Sequence, residues 1–161
     1  DELMHPIVVK NRAFIVDSGG AGHRRGAPGM YVEFGPHDCN IEVGIVSNGT
    51  YNAPIGVRGG HDGAPAQQWQ QQANGTMGPL DGCAQVLLGR GEGIASYSSG
   101  GGVYGAPTER EPERVALDVR EGWISAAAAR EVFGVVIDEN GFSNQSQTRS
   151  LRAALVNPLS R

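Results

Sequence analysis

The sequence predicts an α+β fold: a glycine-rich, mainly β portion over residues 1–107, then a helical extension of the same domain and a tail over 108–161. Three features predict it. Glycine supplies 25 of 161 residues, roughly twice its ordinary share, so many positions must be turns or close backbone contacts. Short β-branched runs recur through the first hundred residues, each stopped by glycine, proline or asparagine. Apolar residues at helical spacing, punctuated by Pro112, Gly122, Ser125 and Gly134, follow only after residue 107.

In chain order, Pro6–Val16 reads as one or two strands, Gly29–Phe34 as another, and Asn40–Ser47 as a third. Asn48-Gly49 follows, a turn pair because both residues tolerate positive φ. These elements suggest a β-meander with glycine-rich corners. From Tyr51 to Gly82 periodicity is weak, and Gln67–Gln72 fits either a polar strand or a surface loop. Gln85–Leu88 and Ile94–Tyr97 read as strands on either side of a turn at Gly89–Gly93. Pro112 suits a first helical turn, with Glu113 at the dipole's positive end. Val115, Val119 and Trp123 form the stripe of this helix, Leu117 lies beside it, and Gly122 suits the C′ position. Ser125 is a good N-cap for an alanine-rich helix through Phe133, which Gly134 ends. Val135–Ile137 is a short strand or docking segment. Ser146–Val156 is expected to be a last helix with Leu151 and Leu155 on one face, and the final residues a tail.

The formal net charge is −4, and no basic run exceeds Arg24-Arg25. Nucleic acid or an anionic membrane would favour a basic face, and none is visible. No apolar run is long enough for a signal peptide or a membrane span. Cys39 and Cys83 lack CxxC spacing and read as reduced, buried thiols of a cytoplasmic protein. Three Asn-x-Ser/Thr triplets, at Asn48, Asn74 and Asn144, read as turns.

The most unusual stretch is Asp17-Ser-Gly-Gly-Ala-Gly-His-Arg-Arg-Gly-Ala-Pro-Gly29. Successive amides of such a loop can cradle an anion, with His23, Arg24 and Arg25 adding charge. Alternatively, glycines permit tight turns, Asp17 caps one and the arginines pair with acids. It lacks the GK[ST] ending of a nucleotide-binding P-loop. Gly89–Gly93 and Gly100–Gly105 lack the βαβ setting of a dinucleotide site. His37-Asp38-Cys39 and His61-Asp62 are locally suggestive of ligands or of an acid/base pair, but no two histidines lie at metal-ligand spacing. Ser98 and Ser99 have no recognisable base nearby. No catalytic constellation and no metal site is complete in the sequence.

Four blocks nevertheless resemble one family. Asp17-Ser-Gly-Gly-Ala-Gly with Arg25-Gly26 and Gly29, then Gly56–Pro65, then Ser99–Val115, then Asp118–Ser125 with Ala129–Val136, resemble in order the conserved runs of hydantoinase B/oxoprolinase subunits. The chain departs from them at Ala27-Pro28, at Ala126–Ala128 and in its glutamine-rich stretch. The resemblance implies the C-terminal part of a much longer subunit, either a split gene product or a fragment. It further implies a hetero-oligomeric, ATP-dependent cyclic-amide hydrolase of hydantoinase, oxoprolinase or lactamase type. A ketone carboxylase of acetone or acetophenone type is the alternative, and a non-enzymatic structural module is a third. The implied partners are a hydantoinase A-type ATP-binding subunit and the N-terminal portion of a hydantoinase B-type subunit. ATP with magnesium, and a divalent metal, would sit on those partners rather than on this chain. The candidate substrate or interface loop comprises Asp17, Ser18, Gly19, Gly20, His23, Arg24 and Arg25. It is expected to be rigid and packed on the remainder of the subunit. Its glycines would take positive φ or approach backbone closely, Asp17 would cap its own loop amides, and the arginines would pair with acids, across the interface among other places.

Overall fold

The computed structural model describes residues 3–156. Seven strands precede three helices: β1 (Ile7–Phe14), β2 (Met30–Pro36), β3 (Ile41–Val46), β4 (Gln67–Gln71), β5 (Met77–Leu80), β6 (Cys83–Leu88), β7 (Gly93–Tyr97), α1 (Pro112–Arg120), α2 (Ala126–Glu131) and α3 (Gln145–Val156). The α+β expectation therefore holds. Five strands form an antiparallel sheet in the order β1-β2-β7-β4-β5, and β3 pairs with β6 as a separate ribbon. Pro6–Val16 yields one strand whose register slips between Val9 and Asn11.

The β-meander is corrected by this topology. β1 and β2 do form a hairpin, but β3 leaves the sheet and finds its partner forty residues later. Its alternation explains why. Ile41, Val43 and Ile45 share one face while Glu42, Gly44 and Val46 share the other, and β6 repeats the pattern with Ala84, Val86 and Leu88. The two apolar faces close over Phe34, Leu80 and Ile94 of the large sheet, making a small inter-sheet core around buried Ile45, Leu88 and Ile94. Burying each such aliphatic side chain contributes about 1.5–3 kcal/mol. Asn48-Gly49 is corrected as well. Neither residue has positive φ; they open a 3₁₀ turn in which the Asn48 carbonyl accepts from Tyr51 N at 3.1 Å and Asn52 N at 2.9 Å. The ambiguous glutamine stretch is a strand in the sheet interior, between β7 and β5.

Both cysteines are exposed and free rather than buried. Cys83 falls on the outward face of β6 with Gln85 and Leu87, where the two-residue period puts it. The three asparagine triplets are local turns and caps. Asn48 starts the 3₁₀ turn, Asn74 Oδ1 accepts from Thr76 N at 2.9 Å, and Asn144 Oδ1 accepts from Gln147 N at 3.0 Å at the head of α3.

The helical third follows its punctuation. Gly122 (φ 77°) ends α1, with Trp123 N donating to Asp118 O at 2.9 Å. Ser125 Oγ accepts from Ala128 N at 3.0 Å and caps α2, and Gly134 (φ 64°) terminates that turn. Val115, Ile124, Ala129, Phe133 and Val135 make a second core, with Val119 and Ala21 packed against it. Val135 therefore docks into a helical core, and Ile137 forms only a single bridge to Ser143. The tail expected at residues 157–161 lies outside the described residues. Among those described, no helix is long and apolar enough to cross a membrane.

Candidate functional site

Three glycine-rich segments, residues 17–29, 54–66 and 98–106, meet between the sheet and the helices and bond mainly through backbone. Gly20 N donates to Gly101 O at 2.8 Å, Gly101 N to Ala27 O at 2.9 Å, Ala64 N to Ser18 O at 2.9 Å, Gly100 N to Ala64 O at 2.9 Å and His61 N to Ala21 O at 2.8 Å. Chains packed this closely leave no room for side chains. A Cβ on Gly100 would fall within the Ser18 carbonyl, and one on Gly20 would strike the His61 carbonyl. Close approach, rather than backbone sign, thus sets these residue types: none of Gly19, Gly20, Gly22, Gly26 or Gly29 has positive φ, whereas Asp17 does, at 59°.

Polar side chains tie this layer to the helices. Ser18 is buried and closes the neck of its loop, its Oγ donating to Ile15 O at 2.6 Å and accepting from Gly29 N at 2.8 Å. Asp17 does not cap its own loop. Its Oδ1 accepts from Ser125 N at 2.8 Å, at the start of α2, while its own N–H donates to Trp123 O at 3.1 Å. The left-handed backbone at Asp17 places both groups against that helix start. Arg25 pairs inside this chain: Nε lies 3.3 Å from Asp118 Oδ1 and Nη1 donates to Gly26 O, with the guanidinium 5.0 Å from the Trp123 ring centroid. Arg110 Nη2 takes the other Asp118 oxygen at 2.7 Å. Arg152 then donates to Arg110 O at 2.7 Å and Phe133 O at 3.1 Å, and burial holds its pKa below the ordinary guanidinium value.

The loop separates two crevices. On one side Asp17 and Gly19 border a 170 Å³ recess with His61, Asp62 and Phe133. On the other, His23, Arg24 and Arg25 face Glu109, Arg110, Glu111 and Arg114 across about 480 Å³. Of the seven sequence candidates, the structure gathers His23, Arg24 and Arg25 at one opening, puts Asp17 and Gly19 at the other, and buries Ser18 and Gly20 between them. Glu109, Arg110, Arg114 and Asp118 were not singled out by motif reasoning. A signal existed for Asp118: it sits three residues after Val115 and one before Val119, on the apolar side of α1, where a carboxylate requires a cation.

His61 and Asp62 are exposed and make no pair with each other, Asp62 Oδ1 accepting instead from Gly56 N at 2.7 Å. His37 Nδ1 lies 3.4 Å from Asp38 in an exposed loop. Among the described residues, histidine, cysteine and carboxylate side chains nowhere gather in threes able to hold a metal.

The four sequence blocks are therefore one physical unit: Asp17 reaches Ser125, Arg25 and Arg110 reach Asp118, and His61 and Gly101 bond the loop between them. The sequence profile of the hydantoinase B/oxoprolinase family matches residues 1–107. The chain belongs to this family. Caprolactamase subunit beta of Pseudomonas jessenii is 31% identical over 157 residues, 95% of this chain and 27% of that subunit. The acetone carboxylase alpha subunit of Xanthobacter autotrophicus is 24% identical over 172 residues, covering 84% of this chain and 22% of that one. Among solved structures, ATP-dependent caprolactamase from Pseudomonas jessenii overlays with a TM-score of 0.78 at 28% identity, over 96% of this chain and 27% of that chain. Nucleotide-free acetone carboxylase shares the fold, with a TM-score of 0.82 at 21% identity over 98% of this chain and 26% of that one. The match falls on a C-terminal segment of these enzymes. The chain thus spans 27% and 22% of the length of these two curated relatives.

Proposed function

We propose that the chain works as the C-terminal segment of a hydantoinase B-type subunit in a cytoplasmic, hetero-oligomeric, ATP-dependent enzyme that hydrolyses cyclic amides. The observation that carries this reading is the 31% identity to caprolactamase subunit beta along 95% of the chain. In this reading the chain is inactive alone. ATP with magnesium enters on a hydantoinase A-type subunit, and the divalent metal on the remaining part of the hydantoinase B-type subunit. When bound there, ATP supplies activation of the amide and the metal supplies activation of water. This chain's own residues provide a rigid wall: the glycine layer fixes the 17–29 loop, and the Asp118 ion pairs fix the guanidiniums beside it.

The test is reconstitution. The chain is co-expressed with the rest of the subunit and the ATP-binding partner, and lactam opening is measured together with ADP release. ATP-dependent ring opening is expected only in the complete mixture. Full turnover without this chain would overturn the reading. The second reading, an ATP-dependent ketone carboxylase, is favoured by the resemblance to the acetone carboxylase alpha subunit. Bicarbonate-dependent consumption of acetone or acetophenone by the same mixture, with lactams untouched, would select it.

A further inference from the structure

We propose that the crevice between the 17–29 loop and the start of α1 is an oxyanion-binding site for a phosphate or carboxylate group. Arg24, Arg25, Arg110 and Arg114 line it, with His23, Glu109 and Glu111. With Asp118 behind them, four guanidiniums thus meet three carboxylates, on a chain whose formal net charge is −4. The local positive excess is not an overflow of basic composition.

Two of these guanidiniums are fixed before any ligand arrives. Arg25 and Arg110 share the single carboxylate of Asp118, at 3.3 and 2.7 Å, and Arg25 also lies over Trp123. One carboxylate cannot neutralise two guanidiniums, so this triad keeps a positive charge. Arg110 is only 8% exposed, yet its Nε–H is a buried donor with no acceptor among the described residues. Buried donors are satisfied almost everywhere in folded proteins, and one that is not calls for a water, an ion or a ligand. Arg24 is exposed and, among the described residues, makes no hydrogen bond or ion pair. Of the two glutamates, Glu111 is paired with Arg114 at 3.2 Å, and Glu109 lies 4.0 Å from His23 Nδ1. Helix α1 opens on the same crevice with no side-chain cap, so its positive dipole end reinforces the field, although Pro112 carries no N–H and the amides of Arg114 and Val115 already donate to Glu111 O. Pre-positioned guanidiniums and an orphaned buried donor are the donor set that recognises oxyanions.

The full chain is titrated by amide NMR at matched ionic strength with inorganic phosphate, with acetate, and with chloride as the control. Saturable shifts are expected at His23, Arg24, Arg25 and Arg114 with phosphate or acetate and not with chloride. The anion that binds more tightly identifies the source, a phosphorylated or a carboxylated ligand. Arg24→Gln and Arg114→Gln, at exposed positions, should each weaken that anion about tenfold, the worth of one charge-assisted hydrogen bond, with the rest of the spectrum in place. No saturable shift with either anion, or unchanged affinity in both variants, would overturn the assignment.

Discussion

Replacing Asp118 by asparagine removes the charge that holds Arg25 and Arg110 and keeps nearly the same shape. Asp118 and Arg110 have side chains only 8% and 9% exposed, so water screens their pair little. Breaking a buried ion pair by removing one partner costs about 3–5 kcal/mol, because the remaining charge is left uncompensated. Arg25 is 21% exposed and can rehydrate. The retained amide oxygen still accepts one hydrogen bond, which offsets about 1 kcal/mol. A net loss of about 3 kcal/mol follows for Asp118→Asn. For 161 residues, whole-chain stability at the lower end of the usual range is on the order of 8 kcal/mol, so the variant should fold but be much weakened. Urea unfolding followed by circular dichroism should show the midpoint falling by about 1–2 M at unchanged slope. The double variant Arg110→Met/Asp118→Leu should be milder than either single change, since the buried Arg110 charge is then not stranded and only the more exposed Arg25 loses its partner. A loss below about 1 kcal/mol for Asp118→Asn would refute the view that this carboxylate organises the site.

Gly20→Val should lose about 3 kcal/mol or more, since the added carbon meets the His61 carbonyl and overpacking alone costs about 1–3 kcal/mol; a variant as stable as the parent that fails only in turnover would make the loop catalytic. Ser125→Ala should cost about 1 kcal/mol by thermal or urea unfolding, the usual worth of an N-cap, and an unchanged midpoint would show the cap to be idle. Tyr31 is pushed up to about 12, first by burial and then by its hydrogen bond to Glu33 at 3.0 Å. The folded state therefore holds this proton more tightly than the unfolded chain, so its contribution is complete below pH 10 and is lost as pH rises toward 12. Absorbance titration should find one tyrosine ionising late, and Glu33→Gln should move that midpoint down; a midpoint unmoved by Glu33→Gln would discard the Glu33 contribution.

Elements governed by local chemistry were legible in the sequence. Gly122, Ser125 and Gly134 act where their capping preferences place them, because a helix end is decided within about four residues. The strands at β2, β3, β6 and β7 were legible as short runs bounded by turn residues, β2 from its alternation. Their pairing was not, since β3 and β6 are joined by no hairpin signal and match only through the faces they bury. β5 was missed because Met77-Gly-Pro-Leu80 contains two residues disfavoured in strands; as the sheet's edge strand, it can accommodate proline. At the candidate site the glycine run was visible, but its reason was not. Glycine suits both a left-handed turn and a close crossing, and only the three-segment contact decides between them. Asp17 shows the same limit: an aspartate before a glycine run suggests an Asx turn, and its actual partner is Ser125, 108 residues away.

That separation bears on how the chain reaches its fold. The bonds of the glycine layer join residues 17–29 to 98–105 and to 118–125, with sequence separations of 93 for Arg25 to Asp118 and 108 for Asp17 to Ser125. Closing such long loops is entropically costly until the last segment arrives, and folding dominated by distant contacts is slow. The buried positions of this layer are mostly glycine, so a half-assembled form gains little apolar burial and leaves many amides unpaired. Assembly of this region should accordingly be late and all-or-none, with the two hydrophobic clusters forming first and the backbone crossing locking them together.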